Sequence, residues 1–172
     1  MKTKLITAPM AVLLLMTFLL GGCNSVSPYK KGFAIYLTRE NTPPSQMEIL
    51  SRIAIAETPL ISNADIVSYN WATQEIELTP EAFQRIVALH VPTTGTAFVV
   101  CVDDSPVYWG AFWTPISSQS FQGVTISMPF KSQTNNMIKL ELGYPGPSFN
   151  KGEDPRSENR IKDALEKAGK LK

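Results

Sequence analysis

The polar side chains that could do chemistry are few, and they lie beside two apolar runs. Asp103 and Asp104 are neighbours between these runs, His90 is the only histidine, and the serines nearby are Ser117, Ser118 and Ser120. Paired carboxylates can perform acid–base chemistry or bind calcium, but two neighbours on a tight turn usually cap amides and face water. The serines have no Gly-x-Ser-x-Gly elbow. We therefore predict a noncatalytic protein. The alternative is an envelope hydrolase with a shallow site near the Asp103-Asp104 turn and the serine loop.

No metal centre and no cofactor are expected from the remaining ligand-type residues. One histidine and one strand cysteine, Cys101, fall short of the ordinary ligand count of a metal site. Cys101 lies in the most apolar run, so we expect a small, buried core residue. His90 falls at the end of an apolar helical stripe, which predicts a hydrogen-bonded structural role.

Aromatic residues give the best candidate for a binding site. Five of them occur within fourteen positions: Tyr108, Trp109, Phe112, Trp113 and Phe121. Strand alternation puts Trp109 on the face opposite Tyr108 and Phe112, so the five cannot all fill one side of a sheet. Either one set is core and the other lies under the loop at 114–122, or the rings form an exposed patch that holds an extended apolar peptide or a partner surface.

A sheet edge offers a second way to bind a partner. The stretch Val124 to Met128 alternates apolar and hydroxyl residues, as an outer strand does. An unpaired edge can accept a strand from another chain through main-chain hydrogen bonds. Most natural edges are blunted, however, so this is the weaker hypothesis.

The element that positions all these residues is a central hairpin from Ala97 to Phe112. Residues 97–102 are apolar on both faces, which is typical of a strand covered on both sides. Residues 103–106 have the composition of a turn, and 107–112 return as an aromatic-rich strand.

The remaining elements predict an α+β fold, a mostly antiparallel sheet with two helices packed on it. Thr79 as N-cap and Pro80 at the first position begin a helix that runs to Leu89. Asp154 and Pro155 begin a second helix with Gly169 as C-cap. The other predicted strands are Phe33 to Thr38, Ser51 to Ala56, Asp65 to Asn70, Glu75 to Leu78, Val124 to Met128 and Met137 to Leu142.

The amino-terminal residues predict export. Lys2 and Lys4 precede an apolar run too short to span a bilayer, so residues 1–22 are interpreted as a signal peptide. The run ends in Leu20-Gly21-Gly22-Cys23, which resembles the lipobox of bacterial lipoproteins. That resemblance implies cleavage before Cys23 and acylation of Cys23, including a fatty acid such as palmitate. Residues 23–32 would be a tether and residues 33–172 a single domain.

Charge and sorting follow from this interpretation. Removing residues 1–22 takes two lysines away and leaves 14 basic and 15 acidic side chains, without a basic cluster. Such a chain lacks the electrostatic footprint of nucleic-acid binding. The expected partner is the lipid bilayer, through acylated Cys23. In a cell with two membranes, Asn24 after the lipidated cysteine implies sorting to the outer membrane.

One succession of motifs points to a known fold. A strand leads into Leu78-Thr79-Pro80-Glu81 and a helix, a strand ends at Val102-Asp103, and a strand beginning at Gly123 follows. It resembles the head subdomain of the first extracytoplasmic domain of SecD, the accessory subunit of the bacterial protein-export machinery. The matching residues are Leu78, Thr79, Pro80, Glu81, Ala82, Phe83, Arg85, Val102, Asp103 and Gly123, within a core of about 65–129. Asp104 replaces the family's turn glycine.

This resemblance implies a SecD head-like fold without the membrane helices that couple SecD to the proton gradient. The prediction is therefore a lipid-anchored, extracytoplasmic binding or assembly module of the cell envelope, with an envelope protein or an unfolded peptide segment as its partner. The resemblance is an analogy of fold, and the function is carried over on that basis.

Overall fold

The computed structural model describes residues 32–172, which form eight strands and two helices in two sheets. The strands are β1 (Phe33–Leu37), β2 (Ile66–Asn70), β3 (Glu75–Leu78), β4 (Thr96–Val102), β5 (Ser105–Trp113), β6 (Phe121–Ser127), β7 (Met137–Lys139) and β8 (Glu141–Tyr144). The helices are α1 (Pro80–Val87) and α2 (Asn159–Lys167). The α+β class is confirmed, with two mostly antiparallel sheets instead of one.

The larger sheet has five strands in the order β1-β4-β5-β6-β8 and contains the predicted hairpin. Its strand β4 is covered on both faces, as expected. Phe98 and Val100 are fully buried on one side, and Val99 and Cys101 are fully buried on the other. We call the Phe98 side the inner face and the Val99 side the outer face.

The hairpin turn is tighter than the four residues predicted. Only Asp103 and Asp104 lie in the turn, with φ of 50° and 64°, and Ser105 already pairs with Val102. Positive φ at both central residues is the pattern of a type I′ turn, whose twist matches that of the strands. Aspartate tolerates this left-handed region better than most residues. The Asp104 carboxylate also accepts a hydrogen bond of 2.9 Å from the Tyr36 hydroxyl.

The smaller sheet has the order β2-β3-β7 and packs on the inner face. The predicted strand from Met137 to Leu142 is divided between the two sheets, with β7 in the smaller and β8 in the larger. Leu140 alone separates them and is fully buried. Its N–H donates to the Gln74 carbonyl at 3.0 Å, and its carbonyl accepts from Arg156 Nη1 at 2.7 Å. These bonds satisfy the backbone at the crossing.

The prediction of an outer strand at Val124 to Met128 is wrong. Strand β6 is interior: it pairs parallel to β5 on one side and antiparallel to β8 on the other. The loop at 114–120 returns the chain to the end where β5 begins, which makes the pair parallel. Because both edges of β6 are occupied, a partner cannot add a strand there.

The predicted strand from Ser51 to Ala56 is also wrong. This part of the chain forms two single-turn 3₁₀ helices, Pro44–Gln46 and Leu50–Arg52, and only Ile55 pairs with Thr38 in an isolated bridge. Its apolar side chains cover part of the outer face; they are Met47, Leu50, Ile53 and Ile55. We call residues 43–57 the outer cover.

Helix α1 begins as predicted, because Thr79 Oγ1 accepts from the Ala82 N–H at 3.3 Å. It ends at Val87, two residues before the predicted end. His90 lies outside the helix and is exposed, so the expectation of a helical, hydrogen-bonded His90 is wrong. An apolar stripe of about two turns suffices to pack on the sheet, and Pro92 prevents a longer helix.

Helix α2 begins later than predicted. Asp154 accepts from the Arg156 N–H and caps a single 3₁₀ turn, Pro155–Ser157, and α2 follows at Asn159. Its end agrees with the prediction. Gly169 has φ of 67°, its N–H donates to Glu166, and the Lys170 N–H donates to Leu165. These are the two hydrogen bonds of a Schellman motif.

One inner core joins both sheets and both helices. Its fully buried members include Phe33, Ile35, Tyr69, Ile76, Phe83, Ile86, Phe98, Val100, Phe112, Ile161 and Leu165. The predicted signal peptide, Cys23 and the tether up to residue 31 lie outside the described residues. Between residues 32 and 172, neither helix combines the length and apolar character needed to span a bilayer.

Candidate binding cleft at the start of strands β5 and β6

The five candidate rings do not form one surface. Tyr108 and Phe112 are buried in the inner core. Trp113 lies on the outer face and is only 3% exposed, whereas Trp109 and Phe121 on the same face are partly exposed. The alternation of β5 therefore divides the cluster, and Trp109 and Phe121 are the two of the five rings that a ligand can reach.

The outer-face rings pack against one another in a row that we call the ring stack. Phe121 is stacked on Trp113, and Trp109 meets Phe121 edge to face. Phe121 lies between two tryptophans, with ring centroids 5.9 Å from Trp109 and 5.2 Å from Trp113. Tyr144 extends the stack at 5.9 Å from Trp113, and its hydroxyl donates to the Pro115 carbonyl at 2.9 Å. Tyr144 was not a predicted site residue. Tyr144 follows Phe121 by 23 residues in the chain, so the sequence around the other rings does not indicate that Tyr144 packs against them.

Beside this stack the larger sheet opens. The parallel pairing of β5 with β6 begins only at Gly110 and Val124, so the first residues of the two strands are not paired with each other. Gly123, with φ of 127°, marks a shift in the register of β6. The gap is a cleft of about 430 Å³. It is lined by Leu50, Val107, Tyr108, Trp109, Phe121, Gln122, Gly123, Val124, Asn150, Gly152, Glu153 and Pro155.

The cleft has apolar walls and a sparse polar rim. Trp109, Phe121 and Pro155 supply ring surfaces, and Gln122 and Asn150 supply amides. The Tyr108 hydroxyl is buried and has no hydrogen-bond partner among residues 32–172. Burial raises the pKa of Tyr108 well above its ordinary value, so this hydroxyl stays neutral. The lining residues contain no serine, cysteine, histidine or lysine, and the arrangement suits binding better than covalent catalysis.

Two of the four edge strands of the described sheets, β1 and β2, are paired with other segments on their free sides. On the free side of β1, the Ile35 N–H donates to the Ile61 carbonyl at 2.8 Å. On the free side of β2, the Tyr69 N–H donates to Lys170 and the Lys172 N–H donates to Tyr69, both at 2.8 Å. These bonds remove the unpaired groups that a partner strand would need.

The residues of the alternative hydrolase site are not brought together. Asp103 and Asp104 lie where β4 ends, whereas the Ser117 hydroxyl donates at 2.6 Å to the carbonyl of Thr93, which precedes β4. The seven residues of β4 separate the two groups by about 20 Å. Ser117 also accepts from the Gln119 N–H at 3.1 Å and is buried, which is a structural role.

Other candidate chemistry is equally sparse in the described part of the chain. Between residues 32 and 172, no group of three or more His, Cys, Asp or Glu side chains is placed to hold a metal ion. Burial, with a smaller contribution from Asp104, raises the pKa of Cys101 to about 12. The thiol is therefore protonated at neutral pH and a poor nucleophile.

Two cavities of about 310 and 300 Å³ lie at the seam where β7 gives way to β8. The first is mainly polar, and the second is also lined by Leu142, Tyr144, Pro145 and Pro147. They share Ser127, Lys139 and Glu141. Their charged groups already have partners: Lys139 lies 4.0 Å from Glu75, and Ser127 donates to Glu141 at 3.3 Å. The charged groups of the seam thus satisfy one another, and the cleft beside the partly exposed rings of Trp109 and Phe121 is the stronger candidate.

Comparisons with models of protein families, with curated proteins and with solved structures each give no match. The function of the cleft therefore has to be argued from its own geometry.

Proposed function

We propose that this chain is a noncatalytic binding module that holds apolar peptide segments in the cleft between β5 and β6. The observation that carries the proposal is the opening of about 430 Å³ between two strands of one sheet, with Trp109 and Phe121 partly exposed beside it. A cavity of this size accommodates a few side chains of a ligand. Half-exposed aromatic rings act as anchors because they offer large contact area at small cost in side-chain entropy.

The polar rim favours a peptide over a purely hydrocarbon ligand. The Gln122 amide carries a donor and an acceptor, which match the N–H and C=O groups of an extended backbone. Asn150 Nδ2 donates to the Gly152 carbonyl at 2.9 Å, and its Oδ1 is an acceptor for a backbone N–H. The apolar walls take the side chains. Main-chain bonding with side-chain pockets is the usual division of labour in the recognition of extended peptides.

The proposed location is the cell envelope, on the extracytoplasmic side. The support is the lipobox-like Leu20-Gly21-Gly22-Cys23 behind a basic start and an apolar run. Acylated Cys23 would hold the module on a membrane, the outer one in a cell with two membranes. A relationship to the SecD head is part of the proposal, and it is supported by the order of motifs from Leu78 to Gly123.

A binding experiment with defined peptides tests the proposed function. The probes are fluorescein-labelled octapeptides with four alternating apolar residues, and a matched set has serine at those four positions. The protein is the lipidated chain in lipid nanodiscs, and the readout is fluorescence anisotropy. We expect binding of the apolar set only. Phe121→Ala or Trp109→Ala should weaken it by about thirtyfold, the effect of losing an anchor worth about 2 kcal/mol.

The matched control is Phe130→Ala, which removes an aromatic ring that is 67% exposed and lies outside the cleft lining. It should leave the affinity unchanged. Thermal unfolding of each variant checks that the domain is intact. Equal binding of the apolar and serine peptides, or an equal loss with Phe130→Ala, would contradict the proposal.

A further inference from the structure

The cleft lies at the same end of the molecule as the start of the described chain. Strand β1 is antiparallel to β4, with Phe33 opposite Val102, so β1 begins where β4 ends. Strand β5 begins at that end, and β6 begins there too because it is parallel to β5. The Asp103 N–H donates to the Gly32 carbonyl at 3.0 Å, which fixes the first described residue beside the hairpin turn.

Strand spacing gives the separation between Phe33 and the cleft. Across the sheet, β5 is two strands from β1 and β6 is three, so the gap between them lies about two and a half strand spacings from β1. Along the strands, Trp109 is opposite Val99, which is three residues before Val102 at the end of β4. With strands about 4.8 Å apart and a rise of about 3.3 Å per residue, the cleft lies about 15 Å from Phe33.

The length of chain before Gly32 limits how far the cleft can lie from a lipid anchor. Cys23 precedes Gly32 by nine residues, and nine residues reach at most about 30 Å. The cleft can therefore be no more than about 45 Å from Cys23. Ile116, which is 83% exposed, follows the far end of β5 and lies further away.

Building on the proposed function and on acylation of Cys23, we infer that the ligand is an apolar segment of an integral membrane protein, directly adjacent to one of its membrane spans. Such segments lie next to the bilayer, within the distance of about 45 Å to which the chain before Gly32 limits the cleft. Tethering raises the effective concentration of the cleft within that distance. A lipid chain is the poorer occupant, because it offers no hydrogen-bonding group to the amides of Gln122 and Asn150.

Photocrosslinking in intact cells tests the inference. A photoreactive phenylalanine derivative replaces Trp109 in the full-length chain, and the same derivative replaces Ile116 as the matched control at the opposite end. A second pair of chains carries 20 Gly/Ser residues inserted between Ser27 and Pro28. Crosslinked peptides are identified by mass spectrometry. We expect Trp109, but not Ile116, to capture identified membrane proteins within about ten residues of a span.

The longer tether should lower this yield by about fivefold, because effective concentration falls with roughly the −3/2 power of tether length. Peptide capture at Trp109 that is unchanged by the spacer, or that maps to soluble proteins, overturns the inference and leaves the peptide-binding function standing. Capture of lipid alone also overturns it. If Trp109 captures nothing and the octapeptides fail to bind, the proposed function itself fails.

Discussion

The two faces of the five-stranded sheet are covered in different ways. The inner face is closed by the smaller sheet and by both helices, with large side chains such as Phe33, Phe98 and Phe112 fully buried. The outer face is covered by the 3₁₀ turns of the outer cover and by the ring stack, and the cleft between β5 and β6 opens beside that stack. Regular elements thus close the inner face, whereas irregular segments cover the outer face and leave the rings of Trp109 and Phe121 within reach of a ligand.

The inner face shows how closely its packing is fitted. The Phe98 and Phe112 ring centroids are 5.1 Å apart. Gly110 lies under Phe98, and a Cβ at that position would meet the Phe98 ring at 2.5 Å and the Val124 carbonyl at 2.4 Å. The absence of a side chain at Gly110 is therefore what lets Phe98 lie over β5. No equivalent fit is needed at the cleft, where β5 and β6 diverge.

The largest expected effect contrasts the two faces directly. Phe98→Ala should lower the free energy of unfolding by about 3–5 kcal/mol, because it leaves a cavity in close-packed surroundings. Trp109→Ala removes a larger side chain but should cost less than half as much, because part of that ring already faces water. Chemical denaturation of both variants measures the difference. Similar losses would show that the outer face is as important for stability as the inner face.

A labelling experiment compares the opening of the two faces. Cys101 is fully buried on the outer face, and its neighbour Val100 is fully buried on the inner face. We expect the local unfolding that exposes the Cys101 thiol to require about 2 kcal/mol less free energy than the unfolding that exposes the cysteine of Val100→Cys. The reason is that the outer cover can unfold locally while the rest of the domain stays folded. Maleimide labelling of Cys101 should then be about thirtyfold faster.

The control for this experiment is the global stability of each variant, measured by denaturation, against which the labelling rates are corrected. Val100→Cys is made in a chain that carries Cys101→Ala, so that each protein has one thiol in the described part. Labelling of both positions only at the rate of global unfolding would contradict independent opening of the outer cover.

Two tyrosines permit a smaller and sharper test at the boundary between core and cleft. The Tyr69 hydroxyl donates to Gln74 Oε1 at 2.6 Å, whereas the buried Tyr108 hydroxyl has no partner among residues 32–172. Tyr69→Phe should cost about 1–2 kcal/mol, since it leaves a buried acceptor unpaired. Tyr108→Phe should change stability by less than about 0.5 kcal/mol. Thermal unfolding of both variants provides the comparison, and equal losses would refute it.

The smallest expected effect concerns pH and lies at the border of the inner face. Burial alone would raise the pKa of Asp65, but hydrogen bonds from Arg85 and Ser62 outweigh it and hold the pKa below its ordinary value of 3.8. A depressed pKa adds stability above pH 3.8 that is lost as the pH falls through the folded-state value. Asp65→Asn should therefore destabilise by about 1 kcal/mol at pH 7.

That difference should shrink as the pH falls below 3.8, because the stability that the depressed pKa provides is then progressively lost. Solvent screening limits what the 2.8 Å contact with Arg85 adds to the free energy of unfolding, because the Arg85 side chain is 44% exposed. Denaturation curves at pH 7 and pH 2.5 check the sign, with exposed Asp163→Asn on α2 as the control. A deficit in Asp65→Asn that persists unchanged at pH 2.5 would contradict a role for the charge.

Local patterns in the sequence were enough to predict the elements whose signals lie within a few residues. The cap at Thr79, the positive-φ Gly169 and the doubly apolar β4 all follow from local chemistry, and the structure confirms them. Long-range pairing has no such signal. Nothing between Phe121 and Ser127 indicates that β6 is parallel to β5, and nothing at Leu140 indicates a change of sheet.

The candidate site shows the same limit. The cluster of rings was visible in the sequence, and alternation correctly separated Trp109 from Tyr108 and Phe112. The cleft itself arises where β5 and β6 fail to pair, which depends on register between distant segments. Its rim residues Asn150 and Glu153 come from a loop, and no local pattern indicates that this loop lies beside β5 and β6.

The single residue between β7 and β8 has a consequence for unfolding. Because Leu140 is anchored by Gln74 and by Arg156, a strand of one sheet cannot leave its place without pulling on the other sheet. Loss of strand pairing in either sheet therefore strains the other sheet through this one residue. We therefore expect a single calorimetric transition for both layers, with the van 't Hoff enthalpy equal to the measured one.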